Sequence, residues 1–311
     1  MQSDISGLPG LPGLPGSDHP GTGPVVEPLL DGLLADGVRT DAAGRYTREA
    51  ADQSLVAHRD HRRAWYGDLV GALRVPVPAT EDVIYALHAS DAGLPLVLVA
   101  RPTADGDDMA LLEELRRARF QLLDNHRVEL TGVELPLAGA GAGSPADRAR
   151  IMLDSLDFTV PAWFSFPAEP GWDEAFAVLA EDGAESVALA LPEPADAAGA
   201  AGVAEAMRVL IDRDLPYAIT SGISGLVTDA NGFGLLNALG ATRAALNGAE
   251  AGEMAVILAE TRIEPLAAAV RRMSEADAAT VRAFLPVLVP PSIRETIAAL
   301  EAEGLIEPDA A

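Results

Sequence analysis

Pro95-Leu96-Val97-Leu98-Val99-Ala100 is an unbroken apolar run of strand length with no polar alternation, the pattern of a strand covered on both faces. What flanks this run repeats a unit. Before it, residues 73–77 read as a short strand, followed by a helix over 80–90 that Thr80 caps. After it come a helix over 109–123 and a strand over 128–135. Ser144 and Pro145 then supply a cap and a first-turn proline for a helix to residue 156. The alternation continues with strands over 159–166, 186–191 and 216–220, separated by helices over 172–182 and 200–213. Strands that alternate with helices predict parallel pairing through right-handed crossovers.

Two architectures satisfy this pattern, a (β/α) barrel and an open doubly wound sheet. No glycine-rich dinucleotide turn follows the first strand, and the units run on past five without a break, which favours the barrel. The expected fold is therefore α/β: a parallel (β/α) barrel-like domain over 71–311, complete or incomplete, with added N- and C-terminal helices. Residues 25–70 read as the N-terminal helices, because Val26, Leu29, Leu30, Leu33 and Leu34 have helical spacing and 47–65 forms a second periodic stretch. Residues 1–24 form an arm in which Gly-Leu-Pro occurs three times, at 7–9, 10–12 and 13–15. Three triplets are too few for a collagen helix, so the arm is expected to be extended and disordered. Past residue 230 the pattern turns helical, over 233–246 with Asn231 as cap, then 253–260 and 265–273. Ser274-Glu275-Ala276-Asp277 resembles a capping box, 286–289 reads as one more strand, and a last helix over 293–303 ends at Gly304.

Composition removes whole classes of chemistry. All 22 basic Lys+Arg residues are arginine, cysteine is absent, and the five histidines all lie at or before His126. Without lysine there is no Schiff base and no phosphate-binding loop of the Walker type. Without cysteine there is no thiolate nucleophile and no thiol metal site, which fits a cytoplasmic protein. The net charge of -25 disfavours nucleic acid and anionic membranes as partners. No signal peptide or membrane-spanning run is expected. A Ser-His-Asp triad has no support either, because Gly222-Ile223-Ser224-Gly225 misses the nucleophile-elbow spacing.

In a barrel the C-terminal strand ends converge on one site. Here they carry Arg101, Glu134, Ser165, Glu193, Thr220, Ser221 and Ser292. Glu134 follows Val133 in a core-facing strand, so it is expected at the mouth, as a base or paired with Arg101. Thr220, Ser221, Gly222 and Ser224 form a hydroxyl-rich loop suited to holding an anion through backbone N–H groups. Asn237, on the helix that follows, is placed to face inward. His58, Arg59, Arg62 and Arg63 form the densest basic cluster, read as an anion or partner patch or as a solvated face. Two histidines at i and i+3 are short of the carboxylate partner a metal site needs, so no metal site is assigned there.

The order of these elements resembles an uncharacterised family found in actinobacteria and plants. The resemblance runs from about His58 to Gly304. It opens with His58-Arg59-x-x-Arg62, Trp65-Tyr66 and Leu69-x-Gly71-x-Leu73-x-x-Pro76, and continues through Glu134, Phe233-Gly234-Leu235-Leu236-Asn237 and Ser292-Ile293-Arg294-Glu295. Where the family pattern has Lys-x-Arg-x-Gly-Gly, this chain has Ala188-Leu189-Ala190-Leu191-Pro192-Glu193. Where it has Lys-Ala-Thr-Ala-Gly-Leu-His-His, this chain has Ala218-Ile219-Thr220-Ser221-Gly222-Ile223-Ser224-Gly225. The resemblance implies a barrel whose original cationic and imidazole groups are lost together. It places the ligand-binding positions at Thr220, Ser221, Gly222, Ser224, Glu193, Asn237, Ser292 and Glu295.

Three functions follow as expectations. The first is a TIM-barrel-like pseudoenzyme that binds a ligand or partner. The second is a carboxylate-based lyase or isomerase acting on a small anionic metabolite, with Glu134 as base and Arg101 as clamp. It needs no cofactor, although a divalent metal held by carboxylates is compatible. The third is a scaffold subunit docking through the arm or the His58–Arg63 cluster. An oligomer is compatible with all three.

Overall fold

The computed structural model describes residues 26–308 except 41–44, 90, 92, 103–106, 124, 138–142, 157–159, 169–170, 183, 185 and 194. The Gly-Leu-Pro arm lies outside the described residues.

The chain opens with α1 (Val26–Leu30), β1 (Leu34–Gly37), α2 (Arg48–Arg63), β2 (Val70–Pro76) and α3 (Thr80–Ala86). The units β3 (Leu94–Val99) and α4 (Asp108–Leu123), β4 (Val128–Pro136) and α5 (Pro145–Ser155), and β5 (Ala162–Pro167) and α6 (Asp173–Glu181) follow. Then come β6 (Ser186–Ala190), α7 (Ala197–Asp212) and β7 (Tyr217–Ser221). The seven strands form one parallel sheet in the sequential order β1-β2-β3-β4-β5-β6-β7. A doubly wound sheet reverses its strand order at a switch point, whereas a barrel winds one way. The order is that of a barrel.

The sheet curls until its edges meet at a very short eighth segment, 286–289. Leu288 bridges both Leu34 of β1 and Ile219 of β7 in parallel. Backbone bonds run from Ala35 N to Leu288 O (2.9 Å) and from Leu288 N to Leu33 O (2.8 Å) on one side. On the other, Ile219 N reaches Val287 O (2.9 Å) and Val289 N reaches Ile219 O (2.9 Å). Both edges are thereby paired, which removes the exposed strand edges an open sheet would carry.

Residues 25–70 are a correction. The apolar spacing there predicts a mostly helical stretch, but Leu34–Gly37 is the first barrel strand, pairing with β2. The barrel therefore begins well before residue 71, and α1 with α2 flanks its first strand.

Alternation along the strands separates two interiors. Leu73, Leu96, Leu98, Val133, Phe164, Val187, Leu189 and Ile219 belong to the apolar layer between sheet and helices. Tyr217 points the same way and bonds Thr242 on α8 at 2.8 Å. The intervening residues face the lumen. Val97, Val99, Ala188 and Ala218 are buried there, outside that apolar layer. Past β7, a two-stranded parallel pair, β8 (Ile223–Gly225) and β9 (Phe233–Gly234), leads into α8 (Leu235–Leu246). Four short helices follow: α9 (Ala251–Leu258), α10 (Ile263–Arg271), α11 (Glu275–Phe284) and α12 (Ile293–Ala302). The Ser274 capping box is present, with Asp277 as its acidic member. Asn231 does not cap α8, whose N-cap is Gly234; Asn231 instead bonds Asp229 in the preceding turn.

Candidate functional site

The charged feature of the lumen is an ion pair between Arg74 on β2 and Glu134 on β4. The guanidinium crosses β3, because Arg74 is level with Val97 and Glu134 with Val99. Both are nearly sealed from solvent, at 8% and 4% exposure. Charges rarely lie this deep unless paired. Burial pushes the Glu134 carboxyl above its ordinary range, against the pull of Arg74, Ser165 and Arg101. The Ser165 hydroxyl donates to Leu135 O at 3.5 Å, and Arg101, on the segment leaving β3, adds its field to both partners. Arg101 itself is exposed at the rim and stands over the Tyr46 ring at 5.7 Å. The expected Glu134–Arg101 pair is thus corrected: Glu134 does face the lumen, but its partner is Arg74. One guanidinium nitrogen, Arg74 Nη1, is buried without a hydrogen-bond partner among the described residues.

The hydroxyl-rich loop is built differently from its sequence reading. Gly222 has φ +81°, and a Cβ there would lie 2.6 Å from Leu191. Its glycine is needed because β7 presses on the β6 end, not to admit a ligand. The loop's groups bond inward: Phe233 N to Gly222 O at 2.8 Å, Ser224 Oγ to Asp229 at 2.9 Å, and Thr220 Oγ1 to Leu189 O at 3.4 Å. Ser221 and Glu193 are exposed. Ser292 caps α12, accepting from Glu295 N, and Glu295 itself is exposed on that helix's first turn.

Asn237 faces inward as expected, but it is a staple and not a ligand group. Fully buried, it accepts from Thr228 N at 3.0 Å and donates to Ile257 O and Glu260 O, each at 2.7 Å. Thr228 adds Oγ1 to Leu258 O at 2.6 Å. Together they tie the loop before α8 to the end of α9.

The basic cluster is another correction, because most of it is interior. His58, Arg59 and His61 are buried. Arg59 pairs with Asp91 (2.6 Å) and donates to Ala86 O (3.0 Å), pinning α2 to the chain before β3. Arg62 donates to Val70 O at 2.8 Å, and Arg63 alone of the four is fully exposed. A carboxylate does attend the histidines: Asp36 Oδ2 lies 2.8 Å from His58 Nδ1 and 3.4 Å from His61 Nδ1. It was hidden from sequence because Asp36 sits on the unforeseen strand β1.

Burial lowers the His61 imidazole below its ordinary 6.5, against the pull of Asp36 and Asp60, with His58 and Arg294 adding to the lowering. The native state therefore favours the neutral ring. Stability from this ring is complete above the unfolded value and is lost as pH falls through the depressed folded one. The urea midpoint is expected to drop as pH falls through and below the ordinary 6.5, and His61→Phe, edge-on to Tyr66 as the imidazole is, should flatten that slope. Equal slopes for the two proteins would refute the assignment.

Among the described residues, no group of three or more His, Cys, Asp or Glu is placed to hold a metal ion, and no helix is long and apolar enough to cross a membrane. Two hollows lie away from the lumen pair. One, of about 580 Å³, is lined by Arg48 and Asp52 of α2, Tyr85 of α3 and His88 just beyond it. The other, of about 340 Å³, is an apolar groove among α8, α9 and α10.

No family model matches the chain, and no curated protein matches it. Among solved structures, a monomeric dihydrodipicolinate synthase variant is similar at 13% identity, over 91% of this chain and 90% of that one, with a TM-score of 0.38. The barrel assignment rests on strand order and on the seam at Leu288.

Proposed function

We propose that the protein binds a small anionic metabolite at the barrel mouth without turning it over. The observation that carries this reading is the unpartnered Arg74 Nη1 beside Glu134. A buried donor without an acceptor costs about 1–3 kcal/mol, and an entering carboxylate or phosphate oxygen would recover it. Arg74 and Arg101 together outweigh Glu134 by one positive charge, in a protein of net charge -25. That contrast favours an anion at this place over the rest of the surface.

Two features support loss of catalysis. Glu134 is held by Arg74 and is not free to act as a base. Ala188 and Ala218, which occupy the lysine positions of the resembled pattern, are register partners inside the barrel and fully buried. A proton-transfer lyase or isomerase is the second reading, favoured by the upward push of burial on the Glu134 carboxyl.

A thermal-shift screen of carboxylated and phosphorylated metabolites, with and without Mg²⁺, tests the first reading. Ligand at a hundred times its Kd should stabilise the native state by about 2.7 kcal/mol. Arg101→Ala, which removes only a rim charge, should abolish the shift while leaving the unliganded melting temperature near its native value. A panel with no shifts, or shifts that survive Arg101→Ala, would overturn it. Turnover of any shifting compound, lost in Glu134→Gln, would establish the second reading instead.

A further inference from the structure

We propose that the Gly-Leu-Pro repeat, residues 7–15, docks along the apolar groove between α8, α9 and α10 of its own chain. Gly240 and Ala244 of α8 form the floor, with Ile257 and Val256 of α9 on one wall and Leu266 and Met273 on the other. Val256 is 72% exposed, more than any other large hydrophobic side chain among the described residues. Both charged side chains at the groove have an ion-pair partner, and the buried Arg243 Nε, without an acceptor among the described residues, is one donor that a backbone carbonyl can meet. Arg243 pairs with Asp277 at 2.7 Å, and Glu260 pairs with Arg262 at 2.8 Å. The groove therefore asks for an uncharged, apolar occupant.

Residues 5–17 supply one: they carry no charged side chain in a chain that is 22% charged. Leu8, Leu11 and Leu14 recur every third residue. In a polyproline II segment, with three residues per turn, that spacing puts all three leucines on one face. The chain also starts from the right place. Helix α1 packs on α11, and α11 packs on α8. Packed helices lie roughly 8–10 Å apart, so two such steps separate α1 from the groove floor. The residues between Leu14 and Val26 can span roughly 40 Å when extended. A second copy of the chain is the competing occupant, and the net charge of -25 opposes it.

Because the chain has no cysteine, cross-linking in the full-length protein gives a direct test. Leu11→Cys is combined with Val256→Cys in one variant, and with Phe120→Cys in a control. Phe120 is 69% exposed on α4, which joins β3 to β4, four strands round the sheet from β7 and α8. Docking raises the local concentration at Val256, so an intramolecular disulfide should form there about tenfold faster than in the control. Independently, Leu8→Ser, Leu11→Ser and Leu14→Ser together should move the methyl NMR signal of Met273, a groove residue, in a protein that keeps its melting temperature. Equal cross-linking rates with an unmoved Met273 signal would overturn the proposal. Cross-links formed mainly between chains would also overturn it, and would assign the groove to a second copy.

Discussion

Replacing Glu134 with alanine is expected to cost about 3–5 kcal/mol, because it strands the Arg74 guanidinium in the lumen without its counter-ion. Arg74 has almost no solvent to turn to, and its Nη1 is already without a partner. Urea unfolding followed by far-UV circular dichroism reads the loss as a shift in midpoint at constant slope. The double variant Arg74→Met with Glu134→Leu removes both charges and should recover most of the loss, since apolar replacements of buried pairs are often neutral or stabilising. It should also bind no anion. A Glu134→Ala loss below about 1 kcal/mol would mean that water reaches the pair and that the lumen is wetter than its burial indicates.

The second large effect is expected at Asn237→Leu, which keeps the number and branching of side-chain heavy atoms and removes every polar contact. Thr228 N loses its acceptor and Glu260 O its donor, while Ile257 O keeps Glu260 N at 3.2 Å. Two backbone groups left unpaired, one of them buried, put the loss at about 2–4 kcal/mol. Amide exchange at Thr228 should accelerate in step with the fall in stability. Gly234 is coupled to the same network, because a Cβ there would lie 2.1 Å from Asn237 Oδ1. Gly234→Ala combined with Asn237→Leu should therefore cost less than the sum of the two. Strict additivity would show that the glycine and the asparagine act separately.

Periodicity carried most of the fold. The helix and strand alternation from residue 73 to residue 220 is legible because β3 is an apolar run and α5 and α7 open on side-chain caps, Ser144 with Pro145 and Asp196, although Thr80 does not cap α3, whose N-cap is Ala79. What it could not carry were elements below the length that periodicity needs. Leu34–Gly37 has four residues, and its first leucine continues the spacing of the helix before it. The site was legible only in part. Glu134 stood out as a charge in a core-facing strand. Arg74 carries the same signal, a charge between Leu73 and Val75, but sequence position alone points to the nearest strand end, Arg101, as the partner. The pairing crosses a whole strand, and only the register reveals it. In the hydroxyl loop and at Asn237 the sequence offers residue type alone, which does not distinguish a group awaiting a ligand from one already bonded to its own backbone.

The seam at Leu288 also has a consequence for how the chain is made. Leu34 finds one of its two neighbours only when a residue about 250 positions later has been synthesised, roughly 10–50 s afterwards at ordinary elongation rates. Until then the nascent sheet presents two bare edges, the state in which unfinished β structure pairs with the wrong chain. Strong negative charge along the growing polypeptide keeps such neighbours apart, so the acidity of this protein protects its birth as well as its solubility.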